Sequence, residues 1–236
     1  VRALLLDLDD TLLDYSGGVD ECWQAACAEA AAGVAQGPLL AALLESRRVF
    51  WSDPLRHRQE RVNMPRAWAR IATGALERCG ADGALGAAIA ESFAARRRAT
   101  MALFPDTLDF LTGLRALGLP LALVTNGDAR EQRFKIERHG LARFFDAIVI
   151  EGELGHGKPD AFAYETALAG LGVAPGPEVA MVGDHLEFDV AGAQRLGLRG
   201  IWLDRTKQGI PGDSPVRPDR IVWGLSGGLP SLRQDC

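Results

Sequence analysis

The chain has 236 residues, 47% of them apolar and 24% charged, with a formal net charge of −5. That length supports one or two domains around a substantial core, and the composition is ordinary for a soluble globular protein. The acidic balance excludes a global basic field for nucleic acid or an anionic membrane, and no apolar run approaches the roughly 20 residues a spanning helix needs.

The first apolar run, Ala3 to Leu6, leads straight into Asp7, Asp9 and Asp10, with Thr11 close behind. The interval from Asp14 to Thr100 is rich in Ala, Leu, Glu and Arg and lacks β-branched runs. It predicts helices near Asp20–Ala32, Leu39–Trp51, Pro65–Cys79 and Gly83–Arg98, punctuated at Gly33, Pro38, Pro54 and Gly80. Beyond it, four more short apolar runs recur. They are "LALV" before Thr125-Asn126-Gly127, "AIVI" before Glu151, "VAMV" before Gly183-Asp184, and "GIWL" before Asp204. Runs apolar on consecutive residues suit a parallel sheet covered on both faces. Helical segments at Thr107–Leu117, Ala129–His139, Ala161–Leu171 and Leu186–Leu196 separate them, and Ile221–Trp223 can add an edge strand.

This alternation predicts an α/β fold, a doubly wound Rossmann-like parallel sheet, with an inserted all-helical domain. The expected boundaries are residues 1–14 and 101–236 for the α/β core and 15–100 for the insertion. The chain opens in strand-like sequence without a charged-then-apolar leader. Its cysteines, Cys22, Cys27, Cys79 and Cys236, form neither a C-x-x-C pair nor a zinc pattern, which predicts free thiols in a reducing, cytoplasmic setting. Arginine is the default base, and the only lysines are Lys135, Lys158 and Lys207.

The polar residues share an address. Asp7, Asp9, Thr125, Asn126 and Asp184 all follow the carboxyl end of a strand, the edge where open parallel sheets bind ligands. Asp7 and Asp9, two apart, should leave on one side. Carboxylates so placed repel, which favours a cation between them or a proton on one. Mg2+ suits this, since it takes oxygen ligands and keeps several waters. Asp184 can add another oxygen. An aspartate at such a metal can attack phosphorus, and a second can move protons. Thr125 and Asn126, with the Gly127 N–H beside a helix start, suit phosphoryl oxygens. Lys158 can neutralise a transferring phosphoryl group. Gly152 to Lys158 spells G-x-x-x-x-G-K, but Pro159 replaces the hydroxyl residue a P-loop needs. Pro159 reads instead as a helix-start proline with Asp160 in the first turn. Asp189, at or inside a helix start, can bind a metal water, orient Lys158 or favour the helix dipole.

Taken in order, D-x-D-x-T at Asp7–Thr11, Thr125-Asn126, Lys158-Pro159 and G-D-x-x-x-x-D at Gly183–Asp189 resemble the four motifs of the haloacid dehalogenase-like (HAD) superfamily. The helical insertion resembles that family's cap domain. The resemblance implies Asp7 as nucleophile forming an aspartyl-phosphate, and Asp9 as general acid and then base. It implies Mg2+ held by the Asp7 carboxylate, the Asp9 backbone carbonyl and Asp184. Thr125 or Asn126, with Lys158, would steady the phosphoryl group, and Asp189 would be an auxiliary acid.

Dehalogenases of the family lack an acid two residues after the nucleophile, so Asp9 points to phosphate chemistry. The phosphonoacetaldehyde hydrolases use a cap lysine, and no lysine precedes Lys135 here. The expected activity is therefore Mg2+-dependent hydrolysis of a small phosphorylated metabolite by a monomer or homodimer. A phosphosugar mutase shares the Asp pair, and a phospho-aspartate receiver switch gathers similar groups around Mg2+. Specificity is expected from the helical insertion and from the turn Tyr15 to Gly18. Within the insertion, Arg56, Arg58, Arg61 and Arg66 near Trp51 would hold an anionic leaving group or else form a solvated segment.

Overall fold

The structure, a computed structural model, describes residues 1–226. It divides into two compact units, one of Val1–Tyr15 with the chain from Ala102 onward, the other of Ser16–Met101.

The strands are β1 (Ala3–Leu6), β2 (Leu13–Asp14), β3 (Ala102–Leu103), β4 (Leu121–Thr125), β5 (Ala147–Ile150), β6 (Val179–Gly183), β7 (Arg199–Leu203) and β8 (Arg220–Val222). Six of them form one sheet in the order β5-β4-β1-β6-β7-β8, and every pairing in it is parallel. The order reverses at β1, which sits centrally between β4 and β6. That reversal is the switch point at which open α/β sheets leave a crevice beyond the strand ends.

The consecutive apolar residues follow from burial on both faces. Ala3, Leu5, Ala122, Val124, Val179 and Met181 pack with Ala163, Tyr164, Ala167 and Leu168 of the helix α9 (Ala161–Leu171, below). Leu4, Leu6, Leu121 and Leu123 alternate with them and are equally buried on the other side.

The helices are α1 (Val19–Ala30), α2 (Gln36–Ser52), α3 (Pro54–Glu60), α4 (Met64–Arg78), α5 (Gly86–Thr100), α6 (Thr107–Ala116), α7 (Ala129–Arg138), α8 (Glu151–Leu154), α9 and α10 (Gly192–Gln194). The first five make the second unit. Its core places Trp23 on Phe93 in a stack with centroids 3.8 Å apart, and Trp68 edge-on to Phe93 at 5.3 Å. Cys22 and Cys27 lie in this core, and burial pushes the Cys27 thiol up to about 11, so it is a packing group rather than a nucleophile. Cys22, Cys27 and Cys79 are free; Cys236 lies outside the described residues.

Three local readings need correction. Pro54 does not merely break a helix. It starts α3, with the Asp53 carboxylate capping the N–H groups of Leu55 and Arg56 at 2.9 and 3.1 Å. Leu13–Asp14 and Ala102–Leu103 pair antiparallel as a two-stranded ribbon, too short for any hydrophobic period to reveal. Pro159 is not inside a helix: it follows a cis peptide bond from Lys158, and Asp160 is the cap of α9, accepting from the Phe162 N–H at 3.1 Å.

Candidate active site

The site lies past the carboxyl ends of β1, β4 and β6. Asp7 directly follows β1, and its N–H donates to Val182 O at 3.0 Å, so the nucleophile candidate is pinned to the neighbouring strand. Its carboxylate is buried and held on both oxygens. Lys158 Nζ donates to Oδ1 at 2.7 Å, and Thr11 Oγ1 donates to Oδ2 at 3.0 Å.

Lys158 is itself buried, and its ammonium also reaches Asp189 Oδ1 at 2.6 Å. Burial alone would lower its pKa; Asp189 and Asp7 outweigh burial and hold it well above the usual lysine value. The Lys158 backbone is fixed by Asn126, whose Nδ2 donates to Lys158 O and whose Oδ1 accepts from Lys158 N–H, both at 2.7 Å.

Of the roles that spacing left open for Asp189, the hydrogen bonds favour the one toward the lysine. Asp189 Oδ1 takes Lys158 and its Oδ2 accepts the His185 N–H at 2.9 Å, so it orients the lysine. The helix expected over Leu186–Leu196 is present to Gln194, opening as a wide π-type turn at Leu186–Ala191 and ending in the short α10. Such widened turns favour functional positions, and here one carries Asp189 inward. Gly183 makes room for it, since a Cβ there would overlap the Asp189 carboxyl group. His185 stays exposed and stacks on Phe188, with centroids 3.9 Å apart.

Asp7, Asp184 and Asp189 bring one carboxylate oxygen each to within 4.8 Å of one another. Among the described residues, the Asp184 carboxylate accepts no hydrogen bond and forms no salt bridge. Fully ionised, these three acids against the Lys158 ammonium leave two negative charges, the complement of one divalent cation. The donor set is all oxygen, as a hard cation requires. Without a cation the crowding shows in the acid strengths. Burial first, then Asp189, pushes Asp7 up to about 7 against the pull of Lys158. Burial, then Asp7 and Asp189, pushes Asp184 up to about 9.

The sign of the pH effect follows. The unfolded carboxyls ionise near 3.8, whereas the folded ones hold protons to about 7 and about 9, so the folded state binds more protons in between. Stability of the cation-free protein is full at low pH and declines as pH rises through that window. Cation-free protein should melt at a lower temperature at pH ~9 than at pH ~5.5, and Mg2+ should raise the melting temperature more at the higher pH, where it displaces no proton. Asp184→Asn should flatten both effects. A Mg2+ shift that does not grow with pH would count against a cation at this cluster.

Asp9 departs from the expected arrangement. The strand ends at Leu6, so strand alternation no longer governs residues 7 to 9, and the two carboxylates find different partners. Asp9 turns to α7. Lys135 Nζ contacts both its oxygens, at 2.8 and 2.7 Å, and Gln132 Nε2 donates to Oδ2 at 3.0 Å. The Asp9 carboxylate is therefore outside the acidic cluster.

Gly127 also needs correction. Its N–H donates to Glu151 Oε2 at 2.9 Å and is spent within the protein. Thr125 is placed differently: its Oγ1 accepts from Gln132 Nε2 at 2.6 Å and donates to Asn126 O over a long 3.4 Å, a contact that an incoming oxygen can replace. Asp10 takes a left-handed backbone (φ 58°) and accepts the Tyr15 N–H at 3.1 Å, closing the turn after the site.

The G-x-x-x-x-G-K spacing has a packing cause. A Cβ on Gly152 would overlap the Gly127 and Ala129 backbone, and one on Gly157 would overlap the Glu151 carboxylate.

In the helical unit, Arg66 pairs with the buried Glu60 at 2.9 Å, Arg70 joins the same carboxylate, and Arg56 faces Asp53 at 3.8 Å. Arg61 is buried. Arg56, Arg66 and Arg70 make these contacts inside their own unit.

Sequence reasoning missed Gln132, Lys135 and Glu151. The one available signal was the scarcity of lysine, together with the i, i+3 spacing of Gln132 and Lys135 on the helix after Thr125-Asn126-Gly127.

Known proteins share this frame. Residues 1–197 match the family described as haloacid dehalogenase-like hydrolase. A phosphoserine phosphatase of Thermus thermophilus is 35% identical over 244 aligned residues, covering 95% of this chain and 96% of that protein. A glyceraldehyde 3-phosphate phosphatase of Methanopyrus kandleri is 33% identical, covering 88% and 85%. Among solved structures, a HAD hydrolase of Bacillus subtilis bound to magnesium superposes with a TM-score of 0.77 at 20% identity, over 98% of both chains. A 2-haloacid dehalogenase of Pseudomonas syringae superposes at 0.68 with 28% identity, over 100% and 99%. With the acids at the switch point of a six-stranded parallel sheet and the match running through most of its length, the chain belongs to the haloacid dehalogenase-like hydrolase family.

Proposed function

We propose that this chain is a Mg2+-dependent phosphatase that hydrolyses a small phosphomonoester through an aspartyl-phosphate on Asp7. The observation that carries this reading is the pair of acids after β1. Asp7 is buried and gripped by Lys158 and Thr11, while Asp9, two residues on, is an acid held apart from the metal cluster. A displacement on carbon with halide leaving needs no proton donor; an alkoxide leaving phosphorus does. The phosphatases at 35% and 33% identity support the same choice.

Asp7 Oδ attacks phosphorus and the bond to the leaving oxygen breaks. Asp9 gives that oxygen a proton, so the alcohol departs and the phosphoryl group stays on Asp7. Asp9, now ionised, takes a proton from water; the water oxygen attacks phosphorus, phosphate leaves and the Asp7 carboxylate is restored. Lys158 neutralises charge on the phosphoryl oxygens and aims Asp7, and the Thr125 hydroxyl donates to one of those oxygens. Asn126 acts through the Lys158 backbone, and Asp189 keeps the ammonium in place.

Asp7, Asp184 and the Asp9 carbonyl would hold Mg2+, which when bound offsets charge on the phosphoryl group. The helical unit Ser16–Met101 would act as the cap that selects the substrate. The test is a screen of phosphorylated metabolites with and without Mg2+, reading released phosphate. Release that depends on Mg2+ is expected. Silence across the screen, or conversion of a sugar phosphate to its isomer with little phosphate released, would replace this reading.

A further inference from the structure

Lys135 is a buried ammonium on α7, the helix that follows Thr125-Asn126-Gly127, in a chain whose default base is arginine. Burying an ammonium is costly unless every donor is answered. Here two donations go to the Asp9 oxygens at 2.8 and 2.7 Å and a third goes to Gln132 Oε1 at 2.7 Å. The Tyr15 ring lies 4.2 Å from the same nitrogen, a cation–π contact.

Gln132, one turn earlier on α7, closes the arrangement. Its amide nitrogen is shared between Asp9 Oδ2 at 3.0 Å and Thr125 Oγ1 at 2.6 Å. A compact point charge suits two oxygens and an amide on one side better than a planar guanidinium fork.

We infer that Lys135 and Gln132 are positioning residues for proton transfer: they tie the Asp9 carboxylate to the Thr125 hydroxyl, which donates to a phosphoryl oxygen. The inference rests on the reading of Asp9 as the general acid and base. Through Gln132, a change in what Thr125 donates to is felt at Asp9, so filling the phosphate site and aiming the acid become one event. Lys135 sets the orientation and does not itself touch substrate.

The test separates this role from mere support of the fold. Lys135→Met and Gln132→Leu are compared with wild type on 4-nitrophenyl phosphate, whose leaving group needs no proton, and on an alkyl phosphate, whose leaving group does. The readout is kcat/KM, which reports phosphoryl transfer to the enzyme, with melting temperature alongside. Lys135→Met should lose about 10²-fold on the alkyl phosphate, the lower end of what acid catalysis supplies, and only a few-fold on the aryl phosphate. Gln132→Leu, which removes no charge, should shift the same way by less, and it carries the test if Lys135→Met does not fold.

Equal losses on both substrates, or none, would overturn the inference. Asp9→Asn is the control. If it too is blind to the leaving group, the general-acid reading falls along with the inference. If it discriminates and the α7 variants do not, the inference alone falls.

Discussion

Asp7→Asn should abolish turnover, by about 10⁴-fold or more, in a protein that remains folded. The size follows from chemistry: an amide cannot form the acyl-phosphate, and the neighbouring acids have other tasks, Asp184 as a ligand of the proposed cation. Asp189 is bound on both oxygens and Asp9 is held by α7. The fold survives because asparagine is isosteric. Its amide oxygen can still accept from Lys158 and its amide nitrogen can donate to Thr11, while one charge leaves a crowded site. The melting temperature of the cation-free variant should therefore match or exceed that of wild type. The companion variant Asp9→Ala should form phospho-enzyme and hydrolyse it slowly, so intact-protein mass spectrometry after mixing with substrate should catch the adduct on Asp7. Substantial turnover in Asp7→Asn, or an adduct on another residue, would rule the mechanism out.

Lys158→Met should cost both activity and stability. Lys158 and Asp189 are almost completely buried and Asp7 nearly so, and the ammonium is the shared partner of both acids. Removing one partner from a buried ion pair costs roughly 3–5 kcal/mol, because the charge left behind has lost its water and gained nothing. For a chain of this size that is a fall in melting temperature on the order of 10 °C. Activity should fall with it, since Asp7 loses its aim and the phosphoryl oxygens lose their cation. The stability loss is expected in cation-free protein and should shrink when Mg2+ is added, because a divalent cation answers part of the same charge. A variant that melts like wild type without Mg2+ would show that the lysine is not the counter-charge the geometry makes it.

The sheet was legible in the sequence because a strand buried on both faces must be apolar on consecutive residues. Five such runs, each stopping at a polar or glycine residue, place the carboxyl-end edge without any structure. The helical unit was legible for the converse reason, a long interval of helix formers without β-branched runs. What escaped were elements whose signal is shorter than a period: the Leu13–Asp14 and Ala102–Leu103 ribbon, and the α3 helix, whose Asp53-Pro54 start reads equally as a break. The Leu186–Leu196 segment is helical as its periodicity indicates, to Gln194, but its opening π-type turn, with the His185 and Asp189 hydrogen bonds beside it, leaves no mark in that periodicity.

That Asp7, Asp9 and Asp184 lie just past strand ends could be read directly, since each follows an apolar run. Their division of labour could not. Whether Asp189 meets a metal or a lysine, and whether the Gly127 N–H faces a ligand or Glu151, depend on atoms far away in the chain. The sharpest case is Asp9. Sequence alone placed it two residues from Asp7 and so on the same side. Tertiary packing gave it to Lys135, 126 residues away, because the strand ends at Leu6 and a buried ammonium on α7 outcompetes a site already crowded with negative charge.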